Sequence, residues 1–186
     1  PFDWNLTNAS AEDIDAVGRV NRAVIWVDDG QDSIGYILRG VDEGFVNHGG
    51  LPLEDWDHGL GDTAEKAWIS MEAHENIVFI DSSFALVDPT TGESIAGITL
   101  SIGESISLID ISNPGNSREV MVGGILSQSS NLFSTGVWMS GNIVEEQFGG
   151  VVTRIYVSTP DGVDSAKLEQ DLSDDLAKDG VHSSVF

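Results

Sequence analysis

Apolar residues along the chain recur at two spacings, and each change from one to the other marks an element. In "SAEDIDAVGRV", Ile14 and Val17 sit three residues apart behind Ser10, an N-cap residue with Asp13 at N3, which predicts a short helix. Residues 23–27, "AVIWV", are a continuous apolar run and predict a strand covered on both faces. The "DDGQD" turn leads into a second strand through Tyr36 and Leu38, so the pair reads as a hairpin. Residues 40–62 are rich in Gly and acids and hold one Pro, the pattern of a connecting loop. Helical spacing returns with Ala64, Ala67, Trp68 and Met71 on one face, where Asp62 is placed to cap and Glu65 to complete a capping box. "NIVFID" reads as a strand and "DPTTGES" as a turn.

The middle of the chain alternates more regularly. Ile106 and Leu108 alternate with serines, "NPGN" turns the chain, and Val120 and Val122 alternate on the return, so residues 100–126 predict a hairpin. Gly103, Gly123 and Gly124 mark bends or bulges that let a small sheet curl. "GVWMS" reads as a strand and "GNIVEEQF" as a short helix capped by Ser140. A strand, "VVTRIYVST", and a turn, "PDGVD", then precede a helix capped by Asp164 and running through Lys178. Leu168, Leu172 and Leu176 form its stripe, Val163 and Leu168 a hydrophobic staple, and Gly180 stands where a C-cap glycine belongs. Asp174 and Asp175 lie near its C-terminus, where the macrodipole disfavours acids. "VHSSVF" reads as a last strand, making the unit βαβ-like, and both chain ends read as cut from something longer. The expected fold class is α+β.

Charge changes the picture most. The 186 residues carry 31 acids against 8 Lys and Arg, a formal net charge of −23, with the acids scattered and not gathered in a tail. Such a surface suits high salt, where screening relieves self-repulsion, and points to a haloadapted source. It makes nucleic acid a poor partner. There is no cysteine, so disulfides and thiolate metal sites are excluded, and 40% hydrophobic content suffices for a core without a cofactor. No apolar run reaches about 18 residues. "PFDWNLTNAS" lacks the basic-then-apolar order of a signal peptide; its sequons at Asn5 and Asn8 hint weakly at an outward-facing protein.

Little in the sequence carries chemistry. Ser82 and Ser83 follow a strand beside Asp81, but the G-x-S-x-G elbow is absent and no His base is adjacent. His48 and His58 lie near Glu54, Asp55 and Asp57, at spacings that match neither a zincin helix nor a calcium loop. His74 and His182 fit a helix end and a strand surface. Gly59 and Gly61 lack the third glycine and preceding strand of a dinucleotide loop. Trp56, Leu132 and Phe133 sit in polar loops, where they mark a contact surface or tuck back onto the core. Trp26 and Trp68 read as core. No catalytic, cofactor-binding or metal residues are expected.

Several stretches taken in order carry a resemblance: "GYILRGVDEGF", "AWISMEAHENIVFIDSSFAL", "GITLSIGESISLID", "REVMVGGIL", "STGVWMS" and "VVTRIYVSTPDGVDSAKLEQDLSDDLAKDG". They include a Gly-Val-Asp element at 40–42, D-S-x-x-A at 81–85, L-x-x-G-E-x-I-x-L at 100–108 and V-x-G-I-L at 122–126. Together, over residues 35–186, they resemble the extracytoplasmic domain, or MacB-like periplasmic core, of FtsX-like/MacB-like ABC transporter permeases, especially archaeal ones. Glu104 departs from the commoner Asp, and residues 1–20 carry no matching signature.

The resemblance implies an α/β lobe built from both chain ends, with βαβ-like units, and an inserted β-rich lobe. The corresponding segments are 1–48 and 150–186 for the first lobe and 49–149 for the second. It implies an extracellular domain of a cell-membrane protein that couples cytoplasmic ATP hydrolysis to export or mechanotransmission. Partners would be a cognate ABC ATPase subunit, a second permease copy and an extracellular cargo or partner protein. ATPase chemistry would belong to the separate subunit, so no catalytic residue is carried over. The readings from other classes are a freestanding secreted metal-binding protein or hydrolase, and a surface adhesion module.

Overall fold

The computed structural model describes residues 14–92, 94–128 and 134–176. The chain divides into two units, residues 18–156 and the two ends, 1–17 with 157–186. The fold class is α+β: one mixed sheet accompanied by four α-helices among the described residues.

Strand β1 (Ala16–Asp28) turns into β2 (Ser33–Val41), and the two pair antiparallel from Val20–Val41 to Asp28–Ser33. The turn is held by carboxylates: Asp29 Oδ1 accepts from the backbone N–H of Gln31 and Asp32, and Gly30 takes φ 88°. Strands β4 (Ile77–Ile80), β5 (Ser105–Asp110), β6 (Ser117–Leu126) and β7 (Val137–Ser140) follow. β2 pairs parallel with β7, β7 antiparallel with β4, β4 parallel with β6, β6 antiparallel with β5, and β5 antiparallel with β1. With the β1–β2 pair, these six strands close on one another, which removes most open edges. β3 (Leu53–Trp56) adds to the far half of β6, and β8 (Val151–Ser158) lies beside β1.

Ile25, Val27, Leu38, Ile80, Ile106, Leu108, Val122 and Val137 are buried in the core together with Phe84, Ile98 and Leu100. A second group of large side chains covers the opposite face of β2, β7 and β4. Phe45 of α1 (Glu43–Val46) and Trp68 of α2 (Ala64–Ala73) meet Trp138 at 5.9 Å each, Trp68 meets Phe79 at 5.0 Å, and Phe45 meets Tyr156 at 5.2 Å. α3 (Gly141–Phe148) follows β7 directly and buries Val144 and Phe148. In the unit made from the ends, Asp15 N–H donates to Ser158 O, and α4 (Ser165–Leu176) buries Leu168 and Leu172. Asp164 caps α4, its carboxylate accepting from the backbone of Ala166 and Lys167.

The hairpins, the α2, α3 and α4 helices and the strands β4, β7 and β8 lie where the pattern places them. The register shift between β4 and β6 falls at Gly123, where a Cβ would sit 2.6 Å from Ile77 Cγ2. Other expectations are corrected. Residues 16–20 are the start of β1, not helix, because Gly18 and Val20 are buried at strand spacing under α1. β1 is not covered on both faces: Val24 is 51% and Trp26 41% exposed, so Trp26 is not core. Residues 40–62 hold α1 and β3, since Asp42 caps the first and β6 pairs with the second. Thr63, not Asp62, caps α2 by accepting from Lys66 N–H, while Asp62 bonds the Lys66 ammonium. Ser140 precedes α3 without a side-chain capping bond. Asn5, Asn8, Ser10, Asp13, Lys178, Gly180, His182 and residues 181–186 lie outside the described residues, as do the side chains of Asp175 and Leu176.

Candidate functional site

Of the contact residues singled out from the sequence, Trp56 ends β3, and its indole N–H donates to Gly61 O at 2.9 Å. Its ring meets His58 edge-on and packs partly buried against the core. Leu132 and Phe133 lie outside the described residues, between Gln128 and Ser134 in the chain. The His48–His58 segment spreads apart. His48 Nδ1 sits 3.0 Å from Gly44 O, Asp55 accepts from Trp56 N–H, and Asp57 accepts from Gly59 N–H. Among the described residues, no three His, Asp or Glu side chains are placed to share a metal ion.

The sequence-predicted Ser82–Ser83 stretch forms a short 3-10 turn after β4, beside a shallow cavity of about 210 Å³ lined by Asp81, Ser82, Ser83, Leu86, Ile95 and Gln128. Asp81 is buried and accepts from Gly136 N–H at 2.7 Å, the Tyr36 hydroxyl at 2.8 Å and Ser83 N–H at 2.9 Å, and from the Ser83 hydroxyl. The Tyr36 hydroxyl also meets Ser83 Oγ at 2.9 Å. Burial pushes the Tyr36 phenol above its ordinary range. The Ser83 hydroxyl donates to a carboxylate that three other donors also hold. That arrangement fastens β2, β4 and the start of β7 together, and no described imidazole stands by to activate the serine.

Two further clusters carry no local sequence signal, because their members come from distant segments. Arg118 on β6 donates to Glu75 O, Asn76 Oδ1 and Gln147 Oε1, and pairs with Glu75 at 2.7 Å. It clamps the β5–β6 hairpin to the start of β4 and to α3. Arg39 on β2 is 5% exposed, donates from Nε to Thr135 O at 2.7 Å, and lies 5.4 Å from the Trp138 ring centre. Burial first, then repulsion from Arg154, holds the Arg39 guanidinium below its ordinary value. What these geometries do is brace strands; the described residues assemble no nucleophile–base pair.

No family model matches the chain, and no curated protein matches it in sequence. Its fold is similar to that of the periplasmic region of MacB from Actinobacillus actinomycetemcomitans, at 18% identity and TM-score 0.58, over 96% of this chain and 74% of that one. It is also similar to the extracellular domain of the noncanonic ABC-type transporter YknZ from Gram-positive bacteria, at 13% identity and TM-score 0.56, over 97% of this chain and 85% of that one. A domain of a protein assigned as a permease from Porphyromonas gingivalis matches at 13% identity and TM-score 0.50, over 94% and 67% of the two chains. At these identities the likeness is one of fold.

Proposed function

We propose that this chain is the extracytoplasmic domain of an ABC transporter permease of the FtsX-like/MacB-like kind. The observation that carries this reading is the likeness of fold, over nearly the whole chain, to the extracytoplasmic domains of MacB and YknZ. The two ends, 1–17 with 157–186, make one unit and residues 18–156 the other, bounds that differ from the 1–48, 49–149 and 150–186 division the resemblance implies; in our reading the domain is entered and left through the unit made from its ends. Within residues 18–156, closed strand pairing and five aromatic contacts between Phe45, Trp68, Phe79, Trp138 and Tyr156 make a stiff body, suited to transmitting a movement. In this role the domain faces outward, moves with ATP hydrolysis by a cognate ATPase subunit, and meets an extracellular cargo, a partner protein or a second permease copy. Trp56, Leu132 and Phe133 remain the proposed contact residues. The acidic surface is the adaptation of such a domain to a saline exterior.

The test is the coding sequence on either side of residues 1 and 186. An apolar segment of about 20 residues on each side, with the domain accessible to protease in intact cells, is the expected result. A gene encoding only a secreted soluble polypeptide overturns the proposal.

A further inference from the structure

The outer face of the closed strands is covered in one part only. Phe45 and Trp68 lie over Trp138 of β7 and Phe79 of β4, whereas the part formed by β1, the first half of β2 and β5 stays open to solvent. Val24 and Trp26 point outward there, alternating with the buried Ile25 and Val27. The register sets Ile37 beside Val24 and Ile109 beside Trp26 on the same face, and Ile111, also exposed, follows β5. Opposite Trp26 on β2 stands Gly35, where an added Cβ would lie 3.5 Å from Trp26 Cζ3, so the indole rests over the Gly35 backbone with its outer side in solvent. An exposed apolar patch rimmed by charge marks a contact surface.

Charge gives this face two unlike ends. Exposed Arg22 continues the outward row two residues before Val24, and Asp28 continues it two residues after Trp26, its Oδ1 held by Gly30 N–H at 2.8 Å. Exposed Glu119 of β6 falls at the same acidic end, paired with Ser107, which itself pairs with Asp28. Among the described residues Arg22 has no carboxylate within ion-pair distance, while Lys66 and Arg118 each have one. The order basic, apolar, aromatic, acidic is self-complementary. A half turn about an axis through the row's midpoint, at Ile25, sets the partner's Asp28 against Arg22, the partner's Arg22 against Asp28, and the partner's Trp26 against Val24. Sheets packed face to face lie about 10 Å apart with their strands within about 30° of each other, a gap that an Arg and an Asp side chain together bridge. With a net charge of −23, two copies repel through most pairs of surfaces; here contact brings opposite charges together.

We propose that the outer face of β1, with Val24, Trp26, Ile37, Ile109 and Ile111, is the contact between two copies of this chain, related by a two-fold axis and held in register by two Arg22–Asp28 pairs. This gives a surface to the second copy that the transporter reading invokes. The contact itself is read from the sheet, so its failure in solution and the absence of flanking apolar segments are separate results.

Sedimentation equilibrium of the 186-residue chain tests it. The range is about 1 to about 200 µM, in about 1 M potassium chloride, where long-range repulsion is screened while partly buried pairs are screened much less. A concentration-dependent doubling of mass is expected. Trp26→Ser, an exposed change, raises the dimer Kd about tenfold or more. Ile69→Ser, which removes an exposed apolar side chain of α2 outside this face, leaves Kd unchanged. Arg22→Asp and Asp28→Arg each set like charges at both ends of the contact, so each variant alone is monomeric. An equimolar mixture of the two restores both opposite pairs and doubles in mass. The proposal is overturned by a monomeric mass across the whole range, by equal effects of Trp26→Ser and Ile69→Ser, or by a mixture no heavier than its components.

Discussion

Gly40 on β2 and Gly141 at the start of α3 meet backbone to backbone. A Cβ on Gly40 would sit 2.7 Å from Gly141 Cα and 2.8 Å from Val144 Cβ, and Asn21 Nδ2 bridges the same place by donating to Gly141 O. The helix that follows β7 can lie against β2 only because both side chains are missing. Gly40→Ala therefore overpacks a buried contact and is expected to cost about 1–3 kcal/mol. It should be read as a lower urea midpoint at unchanged slope. Gly30→Ala is the contrast: nothing lies within 4 Å of its added Cβ, and only the φ of 88° is strained. Its cost should be smaller, about 1 kcal/mol.

Asp81 concentrates four donors on one buried carboxylate. Asp81→Ala strands Gly136 N–H, Ser83 N–H and two hydroxyls, and is expected to cost about 3 kcal/mol or more. Tyr36→Phe removes a single donor and should cost about 1 kcal/mol. Equal costs in chemical denaturation would mean that the carboxylate is not the hub.

The elements legible in the sequence are those whose determinants are local. The β5–β6 hairpin shows because Ile106, Leu108, Val120 and Val122 alternate on either side of "NPGN", and α4 shows because Asp164 and its leucine stripe lie within one stretch. Residues 16–20 were not legible as strand, because Gly18 is needed for close approach to Phe45, a contact made by a distant segment. Val24 and Trp26 hid the one-sided burial of β1 because its exposed face is apolar too. β3 owes its existence to β6, some seventy residues further on, and no nearby residue signals it. The Asp81 and Arg118 clusters are likewise assembled across the fold.

Glu72 provides a pH test. Burial first, then the negative fields of Glu43 and Asp42, push its carboxyl above the ordinary value. A group with a raised folded-state pKa favours folding below the unfolded pKa, and that contribution is lost as pH rises through the folded pKa. Charged Glu72 is thus a cost at neutral pH. Glu72→Gln should stabilise the chain near neutrality, by about 0.5 kcal/mol at the scale of surface changes, and the advantage should vanish once the carboxyl is protonated, below about pH 4. Asp88 has the opposite sign. Backbone N–H groups of Thr90 and Thr91 hold its carboxyl below the usual range, so Asp88→Asn should lose stability at neutral pH and nothing in acid.

Salt dependence follows from the charge itself. With a net charge of −23, surface repulsion works against the compact state over distances set by screening. The screening length falls from about 10 Å at 0.1 M to about 3 Å at 1 M. The melting midpoint should therefore climb steeply over that interval of potassium chloride and then flatten, because little repulsion is left to screen. A midpoint that rises evenly through several molar would assign the gain to solvent exclusion, an effect any protein shows. A flat response across the whole range would remove the haloadapted reading, since the scattered acids would then carry no energetic penalty for salt to relieve.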